Sequence, residues 1–330
     1  MDRRRTRAGR LILAPALAAG ALTLGALAAT ADPPLRAQRW LAAGADAARI
    51  LTSTPGECLE RPADPQAALA VEVGRAAFRT PVLLGGQAAR AGLSCEACHR
   101  SGRDNPQFSF PGISGAPGTA DVTSSLFSSH RGDGVDDPRR IPDLSEPKAR
   151  LKVDQASDTR ALETFIHGLV VEEFNGPEPA PRIIAGLAAY VRALDPAACP
   201  ARAEAPITTR LYLDDARSAV RAAEALAAQG ETSSAALMIA AARARLGLID
   251  ERFAGPGLTG ERARLRAADA ALAASVARLR AGRPVQAELA AWRDRSAEME
   301  RVLVRREAAS LFNPARLAAA RGEVLPGGVR

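Results

Sequence analysis

The chain has 330 residues, enough for one large or two modest domains beyond a leader. Aromatic residues make up only 4% and strong strand formers are few, which favours helices and argues against an all-β fold. The net charge of +7 overstates the basic character, because five arginines and a single aspartate lie in residues 1–31; without them thirty-nine basic side chains face thirty-six acidic ones, a balance of +3 that gives no reason to invoke nucleic acid.

The N-terminus reads MDRRRTRAGR, then LILAPALAAGALTLGALAATADPP. A basic segment, an apolar segment and a small-residue site at Ala29-Thr30-Ala31 form the layout of a secretory signal peptide over residues 1–31. Export to the periplasm follows. The apolar run approaches membrane-spanning length, so membrane attachment would require that the segment stay uncleaved. Residues 35–51 predict a first helix, weakened by Gly44, and residues 67–78 a second that closes at Phe78 before Thr80-Pro81.

Next comes LSCEACHRSGRDN, residues 93–105, with two of the four cysteines and one of the three histidines. Cys95-Glu96-Ala97-Cys98-His99 fits C-x-x-C-H, the attachment pattern for a c-type haem. Two intervening residues let both sulfurs reach neighbouring vinyl groups, and the adjacent imidazole can bind iron from the proximal face. The expectation is therefore one covalently attached haem c, held by Cys95, Cys98 and His99. A thioredoxin-like pair would need a preceding strand in an α/β domain, and no such strand is predicted. A zinc site would need four ligands, and the remaining Cys58, Cys199, His130 and His167 are scattered. Cys58 and Cys199 flank the region, and in an oxidising compartment a disulfide between them is expected.

Residues 101–157 are rich in Gly, Pro, Ser and Asp and lack periodicity. A tract of this length is unusual in a compact domain unless something organises it. Disorder is disfavoured by Phe108, Phe110, Ile113, Leu126, Phe127, Ile141 and Leu144. Helical patterning resumes with TRALETFIHGLVVEEF from Thr159 and RIIAGLAAYVRAL from Arg182. After Pro206 four helical stretches, near 213–229, 232–250, 259–281 and 284–310, are separated by glycines and predict an up-and-down bundle. The arginines of this region read as a solvated surface.

The second axial position on iron has several candidates. The methionines are Met1, Met238 and Met299, none of them between His99 and the end of the haem region. His130, in LFSSHRGDG, is favoured as a metal ligand or distal polar group, with His167 or an open position as the alternatives. Arg131 beside His130 would suit a catalytic distal face.

Residues 74–99, GRAAFRTPVLLGGQAARAGLSCEACH, resemble the bacterial di-haem cytochrome c peroxidase and MauG-like superfamily. TFIHGLVVEEF and AGLAAYVRAL are similar to the two helices that close its haem domains, so the resemblance spans roughly residues 67–195. It implies Cys95 and Cys98 as attachment points, His99 as proximal ligand and Phe78 as an aromatic near the haem. The chain departs from the family in having one attachment motif, so the two-haem mechanism does not transfer.

The resulting expectation is a mainly α protein: a signal peptide at 1–31, a monohaem cytochrome c-like domain with long loops at 32–205, and a four-helix bundle-like domain at 206–330. Its expected function is single-electron transfer with a periplasmic redox protein, the C-terminal helices serving as a docking module. The alternatives are a peroxidase-like haem enzyme with an open sixth site, and a haem-stabilised structural or sensory protein.

Overall fold

The computed structural model describes residues 34–123, 126–130 and 132–322, so the leader and Arg131 lie outside the described residues. The protein is mainly helical, at 59%, with two small antiparallel sheets. Among the described residues no helix is long and apolar enough to cross a membrane.

The continuous first helix predicted over 35–51 is broken in two. A 3-10 turn covers Arg36–Trp40, and helix α1 covers Ala47–Thr52. Gly44 sits between them at φ 77°, a left-handed conformation that stops a helix, and Asp46 then caps α1 by accepting from the Arg49 backbone. Strand β1, Ser53–Pro55, leads into helix α2, Pro65–Phe78. Asp64 caps α2, and Pro65 occupies its first turn, where no intrahelical N–H is needed. Helices α3, Gly86–Ala91, and α4, Cys95–Cys98, are short.

The loop tract is folded down rather than loose. Phe108, Ile113, Phe127 and Ile141 are buried in the main core. Backbone bonds stitch it: Gly118 N donates to Phe108 O, Ile141 N to Gly118 O and Leu144 N to Gly102 O. Strands β2, Thr119–Ala120, and β3, Arg139–Arg140, pair antiparallel within it. Helix α5, Ala161–Gly168, runs into a wide π turn at Leu169–Glu173, and helix α6, Pro181–Ala193, buries Ile183, Leu187, Tyr190 and Val191.

Helices α2 and α6 cross at their glycines. A Cβ on Gly74 would lie 1.8 Å from the Gly186 carbonyl oxygen, so only two bare backbones allow this approach. The Cys58–Cys199 disulfide closes the region, reinforced by Asp195 N donating to Cys58 O and Glu60 N to Ala193 O. Strand β4, Glu204–Pro206, then pairs with β1.

The four predicted C-terminal helices are present as α7, Thr209–Ala228; α8, Thr232–Arg252; α9, Thr259–Arg280; and α10, Gln286–Arg306. Each packs on its neighbour in sequence, and α10 returns to pack on α7, which closes a four-helix ring. Helix α11, Pro314–Ala320, goes back to α1, where Leu317 joins Leu35, Ala47 and Leu51. The bundle also packs on the earlier part, α2 lying against both α7 and α8. One cluster of buried apolar side chains runs from Trp40 through Tyr190 to Leu303 and Phe312, so residues 34–205 and 206–322 share a core.

Candidate functional site

Helix α4 is a single turn that follows the extended Ser94, whose side chain makes no cap. Its carbonyl at Cys95 accepts from His99 N at 2.8 Å, which sets the two thiols and the imidazole on one coil of backbone. Immediately after it, Ser101 adopts φ 53° and Gly102 φ 75°. This tight reversal is held by Asn105, whose Nδ2 donates to Ala97 O at 2.9 Å, and by Ser101 Oγ, 3.0 Å from Thr54 Oγ1. Gly102 is required here, because a Cβ would strike Leu194 Cδ1 at 2.5 Å.

Cys95 and Cys98 are free, half-buried and packed against the apolar core. Burial pushes both thiols up to about 12. Such thiols are almost wholly un-ionised near neutral pH, which unfits them for thiol–disulfide exchange. His99 is half-buried, with Phe78 against it at 6.3 Å between ring centroids. Loss of hydration lowers its pKa to about 4, even though the Pro142 carbonyl works in the other direction. That carbonyl lies 3.0 Å from Nδ1. A carbonyl only accepts, so Nδ1 carries the proton and the neutral ring leaves its Nε2 lone pair for a ligand.

The expectation of one covalently attached haem c is corrected. Cys95 and Cys98 are free thiols, and the bridged cysteines are Cys58 and Cys199. Among the described residues no group of three or more His, Cys, Asp or Glu side chains is arranged to hold a metal ion. In the turn as folded, the thiols pack half-buried against the apolar core and the imidazole is turned to the Pro142 carbonyl.

The other histidines have their own partners. Asn175, at φ 53°, donates from Nδ2 to Phe127 O, which leaves its Oδ1 as an acceptor for His130 Nδ1 at 2.9 Å and Ser129 Oγ at 2.9 Å. His130 is exposed there. His167 pairs through Nε2 with Glu178 at 2.9 Å. Met238 and Met299 are buried in the core, Met299 in the same cluster as Trp292 and Leu303.

A feature that sequence reading missed lies directly behind α4. Arg79 sits at the hub of three carboxylates: Glu57 Oε1 and Asp215 Oδ1, each at 2.9 Å, and Glu96 Oε1 at 3.0 Å. Arg75 reaches Glu57 at 2.9 Å and Asp215 at 2.7 Å. Arg245 reaches the second oxygen of Glu96 at 2.7 Å. Tyr190 donates its hydroxyl to Glu57 at 2.7 Å. Three arginines and three carboxylates thus balance in a buried cluster. For Glu57 and Asp215, burial alone would raise the carboxyls, but the arginines prevail and hold Glu57 below, and Asp215 well below, the usual range. The C-terminal arginines are mostly exposed, as expected of a solvated surface, but Arg245 and Arg252 are buried exceptions. The signal available in sequence was Arg75 and Arg79 one turn apart on the apolar α2, and Arg245 set among Ala241, Ala242, Leu246 and Ile249.

No protein-family model, no curated protein and no solved structure matches the chain.

Proposed function

We propose that the chain is an exported protein that exchanges single electrons with a periplasmic redox protein. The observation that carries this reading is the state of His99: its Nδ1 proton is held by the Pro142 carbonyl, leaving Nε2 unprotonated beside two thiols. The un-ionised thiols argue against a dithiol exchange mechanism. The surrounding apolar core, with the loop tract folded into it, limits water behind the turn. The leader-like N-terminus and the Cys58–Cys199 bridge both suit an oxidising compartment. The likeness of residues 67–195 to the di-haem peroxidase superfamily is in keeping with a redox role.

The test is protein-film voltammetry of protein matured through an exporting host. A reversible one-electron transition is expected, lost in the Cys95→Ser/Cys98→Ser variant and lost or displaced in His99→Ala. A wild-type protein with no reversible transition overturns the proposal.

A further inference from the structure

The four-helix ring is loosest between α9 and α10, and a groove of about 240 Å³ opens there. Trp292 and Met299 form its buried floor, and Ala267, Ala268 and Ala271 form its α9 wall. Trp292 Nε1 donates to Ala268 O at 3.0 Å, so the indole bridges the two helices with its polar end satisfied. The α9 wall has nothing beyond Cβ. Small side chains of this kind let another helix come close.

The rim is charged. Arg264 and Arg295 line it together with Glu298. Arg305 continues the Glu298 face of α10 two helical turns further on. All four are exposed, and among the described residues none of their side chains has a hydrogen bond or an ion pair. Neighbouring arginines on the same helices are satisfied within the chain: Arg262 by Asp250, Arg278 by Glu288, Arg293 by Glu224 and Arg306 by Glu261. Three unpaired cations against one unpaired anion leave this face positive, although the chain beyond its leader is nearly balanced in charge.

We propose that the α9–α10 groove is a docking site for an acidic amphipathic helix of a partner protein, laid along the two helices as a fifth member of the bundle. Its apolar face would cover the alanine wall, and its carboxylates would meet the free guanidiniums of Arg264, Arg295 and Arg305. A second copy of this chain fits poorly, because a two-fold contact brings the positive face against itself. A lipid surface also fits poorly. Binding to it needs large apolar side chains that insert, and this groove offers alanine. The docking face stands whether or not the chain carries electrons.

Fluorescence anisotropy with the full-length exported protein tests this. The probe is a fluorescein-labelled helical peptide of about 20 residues, close to the length of α9 and α10, with a leucine and alanine face flanked by glutamates. The same peptide with lysines for the glutamates is the control, and phosphatidylglycerol vesicles form a lipid arm. The glutamate peptide is expected to bind, and to bind less well as salt is raised, while the lysine peptide does not bind. Arg264→Gln/Arg295→Gln should weaken binding by about tenfold. Ala267→Glu, which narrows the groove and adds a like charge, should abolish it. In Arg264→Glu/Arg295→Glu the preference should reverse to the lysine peptide. These substitutions lie at exposed positions, so the variants should fold as the wild type does. A wild-type protein that does not bind the glutamate peptide, or variants that bind it equally well, overturn the proposal. So does binding to the vesicles in preference to the peptide, which makes the occupant lipid. A wild-type dimer that Ala267→Glu disperses in sedimentation velocity overturns it too, because the occupant is then a second copy.

Discussion

His99 and its two neighbouring thiols illustrate how burial sets chemistry residue by residue. An imidazole in water is half-protonated near pH 6.5; here the loss of hydration brings that point down to about 4, and the ring stays neutral through the physiological range. The same loss of hydration pushes the thiols the other way, to about 12. The reactive form of cysteine is the thiolate, so iodoacetamide at pH 8 should label Cys95 and Cys98 of the folded protein at least about a hundredfold more slowly than a free cysteine. Mass spectrometry of timed samples measures this, and labelling at the free-cysteine rate would contradict the burial described. That Cys95, Cys98 and His99 share one short turn was legible in the sequence, because C-x-x-C-H is a short, local pattern. The Pro142 partner of His99 was not legible. It arrives from 43 residues away, on a loop whose path nothing in its composition specifies.

At the scale of elements, local signals succeeded where the cause of structure was local. Asp64 with Pro65 begins α2, and Pro181 begins α6. The glycine-separated stretches after residue 206 became α7 to α10. Gly44 broke the first helix in spite of the apolar spacing around it, since one residue in the left-handed region ends the helical hydrogen-bond ladder. Gly74 and Gly247 both sit inside helices, yet their roles are opposite. Gly74→Ala must force α2 and α6 apart and should destabilise the protein by about 3 kcal/mol or more, whereas Gly247, with open space around it, should gain about 0.5–1 kcal/mol as alanine. Urea unfolding of the two variants checks both signs in one experiment. Equal effects would mean that the glycine contact at the α2–α6 crossing has been misjudged.

For the whole molecule, the buried cluster of Glu57, Arg75, Arg79, Glu96, Asp215 and Arg245 joins what sequence alone divided into a haem-like region and a bundle. It also makes stability depend on pH. Asp215 is held below its ordinary value of 3.8, so its contribution is complete above about pH 4 and is lost as the pH falls and the unfolded chain takes up protons more readily. Asp215→Asn should cost about 3 kcal/mol at pH 7, because it leaves arginines buried without their partner, and should flatten the loss of stability between pH 4 and pH 2. Urea midpoints of wild type and variant across that range measure the difference, and parallel curves would remove Asp215 from the account.

The sequence by itself determined the helical class, the helix caps and breaks, the distinctive Cys95–His99 turn and the Cys58–Cys199 pairing. These follow from backbone preferences and short spacings, or from there being so few cysteines to pair. Only the tertiary structure decided that the loop tract folds into the core, that α2 and α6 touch backbone to backbone, and that Arg245 closes on Glu96. Each of those is a contact between residues far apart in the chain, and which charge meets which carboxylate depends on how the helices pack rather than on what any one of them contains.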